Sequence, residues 1–120
     1  MRISRPTPKE LGYRFPAEFE PHAATWLSWP HKEASWPGKI ATIYSPYCQF
    51  VRALAENEAV HINVANEEMK NFAQEKLQAV SVNMERVRFY THPTNDAWCR
   101  DHGPAFLINP GAAQPKIIID

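Results

Sequence analysis

Residues 95–104, NDAWCRDHGP, bring two carboxylates, an arginine, a histidine, a cysteine and a tryptophan into one short stretch. Asp101 lies between Arg100 and His102, just ahead of Gly103-Pro104. A carboxylate so presented can bind a planar cation, because it accepts the rigid donor fork of a guanidinium through two parallel bonds. Trp98 suits the same task, since an indole face stacks on a guanidinium or packs along an alkyl stem. Plainer uses compete with these. Asp101 could form a local salt bridge, worth little if exposed. Trp98 could simply pack into a core, and Asp96, following Thr94-Asn95, suits an Asx-turn.

Two other chemistries compete for the same stretch. A Cys99–His102 pair could form a nucleophilic dyad, but such partners usually meet from distant parts of a chain, and a reactive thiol needs a base in reach. Cys99, Asp101, His102 and His92 could ligate a metal, yet no C-x-x-C or H-x-x-x-H spacing is present. The residues by themselves therefore give little support to either a dyad or a metal site. His22, His31 and His61 have no partner pattern and read as surface or packing residues. No G-x-G-x-x-G or P-loop occurs, so nucleotide binding has no support.

The elements that must position this loop follow from periodicity. Residues 1–22 hold four prolines among charged and aromatic residues and read as an extended lead-in segment. AATWLSWP (23–30) reads as a strand stopped by Pro30, and Trp36-Pro37-Gly38 as a turn. From Ile40, apolar residues at 43, 44, 47, 50, 51 and 54 have helical spacing. Pro46 falls inside that run, so either the helix kinks or Ser45 caps a helix starting at Pro46. AVHINVA (59–65) alternates as a strand. Asn66 caps a helix over 66–80 whose first turn carries two acids; Met69, Phe72, Ala73, Lys76 and Val80 share its face, with Leu77 at the margin. RVRFYTH (86–92) is a third strand, and PAFLIN, GAAQP and KIIID make a hairpin. The order β-α-β-α-β followed by a β-hairpin is an α/β pattern with parallel pairing.

Bulk properties exclude several classes. The chain has 120 residues, 44% of them hydrophobic, and thirteen basic residues balance thirteen acidic ones. That is the size of a small globular domain, with no net field to attract nucleic acid or anionic membrane. No apolar run can span a bilayer and the amino terminus lacks a signal-peptide core, so the expected location is cytoplasmic. Cys48 and Cys99 could form at most one disulfide, and reduced thiols are the default. Trp26, Trp29 and Trp36 read as packing residues and loop anchors. The apolar run before Asp120 leaves a strand edge, which suits a piece of a longer chain and predicts self-association as a homo-oligomer.

FPAEFEPHAATWLSWPH, WPGK and PTNDAWCRDHGPAF together resemble the amino-terminal part of the agmatine deiminase and bacterial (Porphyromonas-type) peptidyl-arginine deiminase family. The likeness runs from about residue 12 to residue 109. Its specificity lies in the combination of P-x-E-x-E-P-H-x-x-x-W-x-x-W-P with N-D-x-W-x-R-D-x-G-P. The resemblance implies a five-bladed α/β-propeller (pentein-like) around a substrate channel, with roughly three times this chain length. Residues 23–120 would be the first α/β module and the start of the next.

The resemblance also implies hydrolysis of a guanidinium to a ureido group and ammonia, through a covalent thiouronium on a cysteine, without metal or cofactor. Carried over by position, Asp101 matches the guanidinium-binding aspartate and Trp98 the channel tryptophan. Asp96 and Arg100 match positions that shape the loop. The family's nucleophilic cysteine and its histidine have no counterpart here, so these 120 residues alone are expected to be inactive. The expected substrate is agmatine, with the arginine side chain of a protein as the alternative. If the chain is complete at 120 residues, the reading becomes a non-catalytic guanidinium-binding module.

Overall fold

A computed structural model describes residues 5–93, 97–99 and 103–119. The chain divides into two compact units, one of Met1–Pro21 with His102–Asp120 and one of His22–Asp101.

The larger unit is built on alternation. Strands β1 (Ala24–Ser28), β2 (Ala59–Val64) and β3 (Val87–Thr91) form a parallel sheet in the order β1-β2-β3. Leu27 registers with Ile62, and Ile62 with Phe89. Successive side chains point to opposite faces, so Val60, Ile62 and Val64 all fall on one side, where they are fully buried. Helices α1 (Ile40–Ala55) and α2 (Glu67–Ala79) cover that side and contribute Cys48, Val51, Ala55, Ala73 and Leu77 to the same core. Parallel strands need crossover connections, and here each is a helix. The β-α-β-α-β order expected from the sequence is the order observed.

The opposite face carries the other parity. Trp26, His61 and Tyr90 meet there, with Trp26 4.8 Å from His61 and 4.7 Å from Tyr90 between ring centroids. Trp26 stays half exposed, so this packing residue lies outside the helix-covered core. On this face, His61 Nδ1 and Asn63 Oδ1 are shielded from water and make no hydrogen bond among the described residues.

Helix α1 runs unbroken through Pro46, settling the choice the sequence left open. Tyr44, ahead of the proline, stacks on buried Trp29 at 5.6 Å, so tertiary packing holds the turn that Pro46 deprives of a donor. Helix α2 opens as expected: Asn66 Oδ1 accepts the Met69 N–H at 2.8 Å. Its buried face differs from the expected one. Leu77 lies at the centre with Ala73, both fully buried, while Phe72 and Lys76 move to the rim. There the Lys76 ammonium sits 5.4 Å from the Phe72 ring centroid, which favours the rim for both.

Helix α2 ends in a Schellman turn. Val82 N–H donates to the Leu77 carbonyl, Ser81 N–H to that of Gln78, and Ser81 takes φ 60°. A side chain is strained in this left-handed region and glycine is not. Ser81→Gly is therefore expected to raise unfolding stability by about 0.5–1 kcal/mol in urea denaturation. An unchanged midpoint would mean the turn relaxes around serine without cost.

In the smaller unit, β4 (Ala105–Ile108) and β5 (Lys116–Ile119) form the expected antiparallel hairpin, and Arg14 bridges to Ile108. The lead-in segment is more structured than an extended run. Thr7 and Glu10 form a reciprocal capping box, Thr7 N–H donating to Glu10 Oε2 at 2.7 Å and Glu10 N–H to Thr7 Oγ1 at 3.3 Å. Tyr13 Oη then donates to the Gln114 carbonyl at 2.6 Å.

Arg14 grips Glu20 in a two-pronged pair at 2.7 and 2.9 Å. The guanidinium first, and then the Ala17 N–H, hold the Glu20 carboxyl down from 4.5 to about 2. A folded value below the unfolded one stabilises above the unfolded value; that contribution fades as pH falls from about 4.5 to about 2. Arg14→Leu should move the Glu20 midpoint back up toward 4.5 in a carboxyl NMR titration. A midpoint still near 2 would assign the depression to the Ala17 N–H instead.

Candidate functional site

In open α/β sheets, ligands gather at the carboxyl ends of parallel strands, where loops diverge. Here that edge is formed by Ser28, Asn63-Val64 and Thr91-His92. Two backbone bonds extend the ladder past the strands: Trp29 N–H to the Asn63 carbonyl and His92 N–H to the Val64 carbonyl, each at 2.9 Å.

Ser28 is tightly held at this edge. It is only 1% exposed, and its carbonyl accepts a hydrogen bond from Tyr47 Oη on α1 at 2.9 Å. Burial, and then the neighbouring Cys99 and Cys48 thiols, push the Tyr47 phenol well above its ordinary range. Tyr47 thus stays protonated at neutral pH and remains a donor. The Ser28 hydroxyl lies 3.1 Å from Cys99 Sγ, which ties the segment after β3 to the end of β1. Both cysteines are free thiols. Burial also raises the Cys48 thiol, which keeps it protonated.

The neighbouring residue, Trp98, is 56% exposed. Trp36 stacks on it with ring centroids 6.1 Å apart and planes 15° from parallel. Trp36 is presented by a turn that Glu33 stabilises by accepting the Gly38 N–H at 2.6 Å. Gly38 itself has φ 66°, which glycine adopts without strain. With one indole face against Trp36, Trp98 offers its remaining surface to solvent. Such a platform can take a cation or an alkyl chain.

Of the four residues singled out by sequence, the structure places Trp98; Asp96, Arg100 and Asp101 lie outside the described residues. His102, the other half of the dyad considered above, also lies outside them. Among the described residues, no three His, Cys, Asp or Glu side chains converge as a metal site would require. Sequence reasoning treated Trp36 as a loop anchor and gave Ser28 no role. The available signal for Ser28 was parity: alternation along AATWLS places it on the face opposite Leu27, at the mouth of the strand. Nothing local pointed to Cys99 as its partner.

Comparison with known proteins gives the chain's family. The chain is 32% identical over 104 residues to the agmatine deiminase of Stutzerimonas stutzeri, covering 86% of this chain but 26% of that protein. The structure of C. jejuni agmatine deiminase superposes with TM-score 0.69 at 23% identity, over 90% of this chain and 31% of the other. A cysteine-to-serine variant of that enzyme with substrate bound gives TM-score 0.70 at 22% identity, over 90% and 29% of the two chains. The chain thus spans less than a third of the length of these relatives. The sequence profile of the Porphyromonas-type peptidyl-arginine deiminases matches residues 14–119, nearly the whole of what has been described, and the chain belongs to that family.

Proposed function

We propose that the protein containing this chain is a guanidinium-hydrolysing deiminase whose substrate is agmatine, and that Asp101 binds the guanidinium while Trp98 lines the substrate channel. The observation that carries this reading is the family match across residues 14–119, which includes N-D-x-W-x-R-D. The relatives named above are agmatine deiminases, one of them solved with substrate bound, which favours the small amine over a protein arginine.

In the proposed reaction, a cysteine thiolate from outside these residues attacks the central guanidinium carbon. A histidine, also from outside, protonates the departing ammonia and then takes a proton from the water that resolves the thiouronium. The thiolate leaves, and the product is N-carbamoylputrescine, a compound of putrescine biosynthesis. The carboxylate of Asp101 would hold the guanidinium in the plane that attack requires. Trp98 would line the channel beside the alkyl chain, while Asp96 and Arg100 shape the loop. No metal or organic cofactor is required by this chemistry.

The proposed frame is a five-bladed α/β-propeller in which residues 23–120 form the first module and the start of the next, after the lead-in of residues 1–22. The nucleophile belongs to later modules, so residues 1–120 alone would not turn over substrate. A cytoplasmic location fits a small-amine substrate; among the described residues no helix is long and apolar enough to cross a membrane. The exposed final strand, Lys116–Ile119, supports association between copies.

The test is ammonia release from agmatine and from a peptidyl-arginine substrate, using the longest open reading frame that begins with this sequence. Turnover of agmatine is expected. Turnover of the peptide alone would move the substrate to protein arginine. Silence on both from a folded full-length protein would overturn the deiminase reading and leave a guanidinium-binding module.

A further inference from the structure

We propose that Ser28 and Trp36 are positioning residues that fix the Trp98 indole at the mouth of the site, Trp36 by stacking on it and Ser28 through Cys99. The proposal rests on the deiminase reading for its consequence in catalysis, but its geometry is independent of it.

Trp98 and Cys99 are adjacent, and each is held by a different element. Cys99 Sγ meets Ser28 Oγ at 3.1 Å, and Ser28 is itself immobilised through its backbone. Its carbonyl accepts Tyr47 Oη, and the next residue, Trp29, donates its N–H to β2. A side chain tied to such a residue inherits its rigidity. Trp98 is stacked on Trp36, whose turn is pinned by Glu33 and Gly38. The two anchors act on neighbouring residues from separate parts of the unit, the end of β1 and the turn before α1. Together they restrict both the backbone position and the ring orientation of an indole that is otherwise 56% exposed.

The arrangement matters because an exposed tryptophan must be ordered before it can line a substrate. Ordering one such side chain at binding weakens affinity by about two- to tenfold. An indole already ordered avoids that loss. In this proposal the anchors act only through Cys99 and Trp98, so their removal should appear in KM and leave kcat nearly unchanged.

Two measurements on the full-length protein test the proposal. In the first, Ser28→Ala and Trp36→Ala are expected to raise KM for agmatine by about three- to tenfold, with kcat within about twofold of wild type. Trp36→Phe should stay near wild type because a phenyl ring still stacks. Cys99→Ser should do likewise because a hydroxyl still reaches Ser28, whereas Cys99→Ala should behave as Ser28→Ala. A merely structural role would lower the folded, active fraction and leave KM in place. Should Trp36→Ala fail to fold, Ser28→Ala and Cys99→Ala carry the test.

The second measurement needs no turnover. With 5-fluorotryptophan incorporated and the Trp98 fluorine signal assigned by Trp98→Phe, that signal should move toward the free-indole position in Ser28→Ala and Trp36→Ala. An unmoved Trp98 signal in both variants overturns the proposal, as does an active enzyme whose KM ignores both substitutions. A wild-type protein silent on every guanidinium substrate, but with the Trp98 signal displaced in the variants, defeats the deiminase reading and upholds the anchoring.

Discussion

Asp101→Asn in the full-length protein is expected to lower kcat/KM for agmatine by about 10²–10³-fold while leaving the unfolding midpoint where it was. Asparagine has nearly the same shape, so packing is preserved, but its amide carries no charge and offers one acceptor oxygen where the carboxylate offers two. Truncating one partner of a buried, hydrogen-bonded charge pair costs about 2–5 kcal/mol, much of it from the stranded opposite charge. Here the stranded charge would be the substrate's guanidinium, held in a channel with less water to replace the lost contact. The loss should appear in both kcat and KM, since a guanidinium that tilts out of plane is both bound more weakly and attacked less often. Steady-state ammonia assays paired with thermal unfolding would check it. Wild-type kinetics in the variant would remove Asp101 from the site and return it to the local salt bridge considered at the outset.

The largest stability effect should come from Trp29→Ala, which is expected to destabilise the protein by about 3–5 kcal/mol. Trp29 is 1% exposed and touches three further rings: Tyr44 stacked at 5.6 Å, Tyr47 edge-on at 5.3 Å and Phe72 edge-on at 6.2 Å. Those partners come from α1 and α2, while the Trp29 backbone is bonded to β2. Truncation would therefore leave a cavity where both helices meet the sheet, and neither can collapse into it without breaking the ladder. Urea denaturation should show a lowered midpoint at unchanged slope. Trp29→Phe, which keeps the aromatic contacts, should lose much less. Equal losses in the two variants would mean that the indole's extra ring, and not aromatic packing as such, holds the junction.

The three strands and α2 were legible because their signals are local. Alternation in AVHINV and the Asn66 cap are properties of adjacent residues, and both reappear as expected. Where the sequence left a question or misplaced a face, the deciding contact was distant. Pro46 alone argued for a break in α1, but Tyr44 packed on Trp29 holds the turn before it. A helical wheel put Leu77 at the margin because it counted Phe72 and Lys76 as core. Both lie at the rim instead, and the buried face centres on Ala73 and Leu77. The site was legible in a different way. Trp98 stood out by chemical type and motif spacing, whereas Ser28 did not: alternation set it on the face opposite Leu27, but nothing in the residues around it marked it for a role. Its partner, Cys99, lies far along the chain.

The strand order has a consequence for synthesis on the ribosome. Because β1, β2 and β3 are neighbours in space in the order in which they are made, each new strand finds its pairing edge already formed. The sheet and its two helices can thus assemble stepwise from the amino-terminal side, with short loop closures and no need to hold an early strand open for a late one. The smaller unit obeys the opposite rule. Arg14 pairs with Ile108, so residue 14 waits for a hairpin made only after the three strands of the larger unit. A chain stalled after β3 would already carry a protease-resistant β/α core, while the turn around Thr7–Gly12 would still be open to cleavage.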